Sequence, residues 1–135
     1  MYVQCISQFI SSQKLQTMLS KTWNDNDGQL CAGLSWDRFT DVEQAKQLVG
    51  CLGGHVLSGI FTRFAQGYRY HRSGLPDLVV WNSSTLDYMI AEVKGPGDKL
   101  STKQQIWLDV LASLGANVEV CYVTAVGAKR LKMSK

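Results

Sequence analysis

The order of hydrophobic patterns after Gly74 constrains this chain most. A β-branched and aromatic run, Leu78-Val79-Val80-Trp81, is followed by Tyr88-Met89-Ile90-Ala91-Glu92-Val93-Lys94, by a helical period, and by Val118-Glu119-Val120-Cys121-Tyr122-Val123. The short polar stretch Asn82-Ser83-Ser84-Thr85 predicts a hairpin between the first two runs, and Gly95-Pro96-Gly97 stops the second. Ser101 with Gln104 three residues later has the form of a capping box. It opens a helix with apolar positions Ile106, Trp107, Val110, Leu111 and Leu114, closed by Gly115. Strand, strand, helix, strand at this spacing predicts a mixed sheet with a right-handed crossover helix on one face. The expected fold class is therefore α/β, with residues 73–126 as a β-β-α-β unit.

The upstream part, residues 1–72, reads as mostly helical. Val3, Ile6, Ile10, Leu15, Met18 and Leu19 recur at helix-like intervals to about Thr22, and the pattern gives way at Asn24-Asp25-Asn26-Asp27-Gly28. Thr40 or Asp41 caps a second predicted helix with apolar Val42, Ala45, Leu48 and Val49, ending at Gly50 or at Gly53-Gly54. A third runs from about Val56 to Phe64.

At 135 residues, with 45% hydrophobic and 19% charged residues, the chain has the length and composition of a single globular domain, far from those of a disordered segment. Its net charge of +3 is compatible with a polyanionic partner without requiring one. Cys5, Cys31, Cys51 and Cys121 are widely spread, with only His55 and His71 as companions, which argues against a zinc framework and for buried thiols in a reducing compartment. The opening Met1 to Met18 has neither a signal-peptide pattern nor a run that spans a bilayer, so a soluble intracellular protein without a membrane partner is expected. The basic end, Lys129-Arg130 and Lys132 to Lys135, reads as a frayed tail.

The chemistry concentrates at Pro76-Asp77 and Glu92-Val93-Lys94. In an extended strand alternate side chains share a face, so Glu92 and Lys94 point one way and Val93 into the opposite packing layer, while an antiparallel partner can bring Asp77 beside them. Two carboxylates offer hard oxygen ligands suited to magnesium or manganese, and such ions retain waters that a substrate phosphate can displace. The combination suits in-line phosphodiester hydrolysis, with Lys94 orienting water or neutralising charge. A carboxylate and a lysine two residues apart on a strand are most often a solvated ion pair worth about 0–1 kcal/mol, and the triplet alone occurs often by chance. The context of strand ends beside glycines favours the site.

Ser73-Gly-Leu-Pro-Asp-Leu-Val-Val-Trp-Asn82, Ala91-Glu-Val-Lys-Gly-Pro-Gly-Asp-Lys-Leu-Ser101 and Lys103-Gln104 resemble the VRR-NUC domain of the PD-(D/E)XK nuclease superfamily, whose fold is a restriction-endonuclease-like mixed sheet flanked by helices. Trp36-Asp37-Arg38-Phe39-Thr40 and Cys51-Leu52-Gly53-Gly54 extend the likeness over nearly the whole chain. The resemblance implies a nuclear, structure-selective DNA nuclease of interstrand crosslink repair, cutting 5′ flaps and trimming 5′ to 3′ with Mg2+ or Mn2+. It maps catalytic roles onto Asp77, Glu92, Lys94 and Gln104, and metal ligation onto Asp77, Glu92 and the Val93 carbonyl. The family also uses a glutamate from a helix well upstream; Glu43, the only glutamate before Asp77, does not sit in matching sequence. The implied reading is a nuclease unit lacking that helix and the domains that recruit repair proteins. A catalytically silent DNA-binding or interaction module is the alternative. The segment between Thr40 and Phe64 resembles an insertion that obstructs the dimers of small relatives, so a monomer acting on branched or flapped DNA is expected.

Lys99 and Lys103 flank the helix start at Ser101, where backbone N–H groups favour an anion, and are candidate DNA contacts together with Arg72. Arg63, Arg69, His71 and Arg72 lie in a run with Phe61, Phe64, Tyr68 and Tyr70 that suits phosphate contacts and base stacking as well as a helix end with its aromatics in the core.

Overall fold

The computed structural model describes residues 11–30 and 35–124. Helix α1 spans Ser12–Asn26, and the Ser11 hydroxyl caps it by accepting from the Lys14 N–H at 3.3 Å. Its predicted start near Val3 and the basic tail lie outside the described residues. A 3-10 turn, Trp36–Arg38, sets the Trp36 ring edge-on to Trp23, with centroids 4.9 Å apart.

Helix α2 spans Val42–His71. Asp41 is its cap, accepting from the Gln44 N–H at 2.8 Å, while Gln44 Oε1 accepts from the Thr40 N–H at 2.9 Å. The two predicted helices join across Gly53, whose φ of 73° and ψ of 165° lie in a region essentially reserved for glycine. The second segment continues past its predicted end at Phe64 to His71, through a further non-helical residue at Gly67. Nothing in the one-dimensional pattern marked that extension, because Arg69 to His71 are polar or exposed, and His71 is held by the distant Trp107 Nε1–H donating to its carbonyl. Among the described residues α2 is the one helix long and apolar enough to cross a bilayer; Ala45, Leu48, Cys51, Val56 and Ser58 are its buried residues.

Strands β1 (Leu78–Asn82) and β2 (Asp87–Lys94) form the predicted antiparallel hairpin, with Leu78 opposite Ala91 and Val80 opposite Met89. Helix α3 (Thr102–Ser113) carries the predicted capping box, with Ser101 and Gln104 bonded reciprocally. It returns the chain to β3 (Val118–Tyr122), which runs parallel to β2 with Val120 beside Glu92 and Tyr122 beside Lys94. The result is the expected mixed sheet, in the order β1-β2-β3.

One face of the sheet carries Val79, Tyr88, Ile90 and Val118, and α2 and α3 both cover it. Val56, Ile90, Trp107, Leu111 and Ala116 form the core there. The alternation along β2 places Glu92 and Lys94 on that same covered face. The opposite face is not the packing layer expected behind Val93: Val93 is half-buried, and Leu78 and Val80 on that side are 53% and 55% exposed. Periodicity alone tells two faces apart without telling which one the helices cover.

Candidate active site

The site grows from the end of the β1–β2 ladder. Continuing the register one pair beyond Leu78 and Ala91 sets Asp77 opposite Glu92, and directly opposed residues of an antiparallel pair share a face. Asp77 is exposed, and its Oδ2 accepts the Val93 N–H at 3.0 Å, so a side chain replaces the backbone acceptor at the mouth of the sheet. Val93 thus meets Asp77 through its main-chain N–H.

Glu92 is 1% exposed and Lys94 8%, a pairing that few surface positions of this composition would reach. The Lys94 ammonium lies 2.8 Å from Glu92 Oε1 and donates to Gln104 Oε1 at 3.0 Å. Gln104 Nε2 also donates to Glu92 Oε1, and the Ser101 N–H donates to Gln104 Oε1 at 2.9 Å. One amide from the first turn of α3 thus ties the carboxylate, the ammonium and the helix cap together. The hydrogen bond to Glu92 holds the Lys94 pKa above the ordinary lysine value against the opposing effect of burial, with further help from the negative charges of Glu92, Asp77 and Asp98.

The second oxygen, Glu92 Oε2, is buried and has no hydrogen-bond partner among the described residues. A buried carboxylate oxygen left bare is costly, and a cation is the partner that its chemistry lacks. Glu92 Oε2 and the Asp77 carboxylate are hard donors, so the residues fit a magnesium- or manganese-like ion that binds through one or two carboxylates and completes its shell with water and phosphate. Among the described residues no group of three or more His, Cys, Asp or Glu side chains gathers for a metal, and Glu43 instead pairs with Lys46 at 2.6 Å on the first turn of α2.

Lys103 sits in the first turn of α3 with its ammonium donating to the Ser73 hydroxyl at 3.1 Å. Gly74, at a φ of 92°, lets the chain before Asp77 pass so close that a Cβ there would lie 2.8 Å from the Lys103 backbone. This close approach locks the strand of Asp77 to the helix of Gln104. Arg72 and Lys99 are exposed, Arg72 at the C-terminal cap of α2, and neither joins the hydrogen-bonded cluster at Glu92 among the described residues. Asp98, not among the candidate residues above, accepts the Gly95 N–H on its Oδ2 at 3.0 Å and pins the turn that follows Lys94. An aspartate three residues after a glycine in a Gly-Pro-Gly turn is the signal that could have found it.

Residues 10–125 match the family model of the VRR-NUC domain. The chain belongs to the VRR-NUC domain family. Fanconi-associated nuclease 1 of Danio rerio is 56% identical over 119 residues, 88% of this VRR-NUC chain and 12% of that protein. The Homo sapiens protein of the same name is 52% identical over 122 residues, 90% of this chain and again 12% of the relative. The chain therefore spans a small part of the length of the curated relatives it matches. Among solved structures, paFAN1 bound to 2-nucleotide 5′-flap DNA with a gap superposes with a TM-score of 0.76 at 29% identity, covering 83% of this chain and 20% of that one. The mixed sheet and its flanking helices are thus the fold of a VRR-NUC domain.

Proposed function

We propose that this VRR-NUC chain is a metal-dependent, structure-selective DNA nuclease that hydrolyses phosphodiesters in flapped or branched DNA. The observation that carries the reading is Glu92: a buried carboxylate with one oxygen tied to Lys94 and Gln104 and the other bare, opposite Asp77. The relatives named as nucleases, and the similar structure bound to 5′-flap DNA, support the same substrate class. The finer reading is a 5′-flap endonuclease and 5′ to 3′ exonuclease of crosslink repair, acting in the nucleus as a monomer.

Asp77, Glu92 and the Val93 carbonyl are the groups that would hold Mg2+ or Mn2+. When bound, the ion supplies Lewis-acid polarisation of the phosphate and a lowered pKa for the attacking water. Lys94, held as an ammonium by Glu92, faces the developing negative charge on the phosphate oxygens and stabilises it. Gln104 fixes the direction of that ammonium, and the Val93 N–H fixes Asp77. Lys99, Lys103 and Arg72 add cationic contacts to the DNA backbone.

The test is cleavage of a labelled 5′-flap DNA by the purified chain with magnesium or manganese, beside Asp77→Ala and a chelator control. Cleavage that disappears in both controls is expected, with the variant still folded because Asp77 is exposed. Cleavage retained by Asp77→Ala removes the assignment. A second reading, a silent DNA-binding module, is favoured by the presence of only two carboxylates at the site among the described residues. Metal-independent binding without cleavage is its signature.

A further inference from the structure

The aromatic run between Phe61 and Arg72 divides in the fold. Phe64 lies edge-on to Trp107 with centroids 5.6 Å apart and to Tyr68 at 5.4 Å, and packs against the core. Tyr70 does the reverse: it is 78% exposed, with the Lys103 ammonium 5.7 Å from its ring centroid and the His71 ring edge-on at 6.4 Å. A large aromatic ring left that open contributes little to folding.

Tyr70 forms one wall of a cavity of about 340 Å3 between α2 and α3, shared with Lys103, Arg63, His71 and Ser73 and backed by Trp107. That volume lies at the lower end of the range of about 300–1,000 Å3 for small-ligand pockets, room for one nucleoside and not for a duplex. Its place is equally telling. Lys103 immediately precedes Gln104 on the first turn of α3, and Ser73 lies four residues before Asp77, so two segments that line the cavity lead into the candidate site. Arg63 stands on its wall with the guanidinium 4.9 Å from the Trp107 centroid, and its buried Nε has no acceptor among the described residues.

We propose that Tyr70 is a specificity-determining residue that stacks one unpaired nucleobase of the substrate in this cavity. The inference rests on the DNA reading above and deepens it. Stacking on an aromatic ring tolerates any base but requires one that has left its pair, so Tyr70 selects flapped or frayed DNA over continuous duplex. Lys103 beside the ring adds a cation where the backbone of that nucleotide must pass.

Binding is measured by fluorescence anisotropy in chelator, so that no cleavage occurs, on a 5′-flap DNA whose flap nucleotide is either intact or abasic. Tyr70→Ala is expected to bind the intact flap about tenfold more weakly, Tyr70→Phe to match the wild type, and wild type and Tyr70→Ala to bind the abasic flap alike. Tyr70→Ala binding the intact flap as the wild type does, or losing equally on both DNAs, overturns the proposal. Absence of wild-type binding to the intact flap does so too. Parallel cleavage with magnesium separates the two readings. Cleavage without a base-dependent effect of Tyr70 leaves the nuclease standing and removes the stacking, whereas base-dependent binding without cleavage does the opposite.

Discussion

At the scale of residues, the site depends on a few bonds whose partners are far apart in the chain. Lys94 is worth most as a positioned charge, since removing one donor aimed at developing charge typically costs about 10²–10³-fold in kcat. Lys94→Met should therefore lower kcat by about that factor in the flap assay while KM changes little. The same variant has a stability signature. Glu92 raises the Lys94 pKa above the ordinary 10.5, so the folded state holds that proton more tightly than the unfolded chain. The contribution is fully present below about pH 10.5 and is lost as pH rises through the raised value. Thermal melts of wild type and Lys94→Met should stay separated at neutral pH, with the wild type higher, and draw together in alkaline buffer. A gap that widens with pH would mean that Lys94 is not held by Glu92. Asp77, Glu92 and Lys94 were legible as candidates because strand alternation is a local rule. The bare Glu92 Oε2 and the double role of Gln104 were not, since both depend on how α3 docks on the sheet.

At the scale of elements, α3 is the part that joins stability to the site. Its capping box satisfies two backbone donors, and Gln104 Oε1 serves both the Ser101 N–H and Lys94. Ser101→Ala should cost about 1 kcal/mol by urea denaturation, the usual effect of losing a side-chain cap. It should also lower kcat, because the first turn that carries Gln104 loosens. A stability loss with unchanged kcat would show that the core alone holds Gln104 in place. The hairpin, the capping box and the third strand were all readable, each from a turn or cap within a few residues. The length of α2 was not. Its last turn is held by distant partners, among them the Trp107 Nε1–H donating to the His71 carbonyl at 2.7 Å.

At the scale of the whole molecule, the helices have chosen one face of the sheet, and core and candidate site share it. Leu111 is fully buried in the cluster with Val56, Ile90 and Trp107, whereas Val80 on the other face is 55% exposed. Leu111→Ala should cost about 2–5 kcal/mol in chemical denaturation, while Val80→Thr should stay within about 0.5 kcal/mol of the wild type. Comparable losses at both positions would mean that the second face is covered as well. Sharing one face explains how a carboxylate and an ammonium come to be almost wholly buried: the layer that shields Ile90 also closes over Glu92 and Lys94.

The sequence by itself determined the element types, the hairpin, the cap of α3 and the meeting of Asp77, Glu92 and Lys94 at one end of the sheet, because caps, turns and period-two alternation act within a few residues. Only the tertiary structure decided which sheet face is covered, which carboxylate oxygen is left bare, and that of the aromatics between Phe61 and Tyr70 Phe64 packs against the core while Phe61 and Tyr70 stay exposed. Those outcomes depend on how α2 and α3 dock onto the sheet, and docking is set by packing between segments tens of residues apart, which no local pattern encodes.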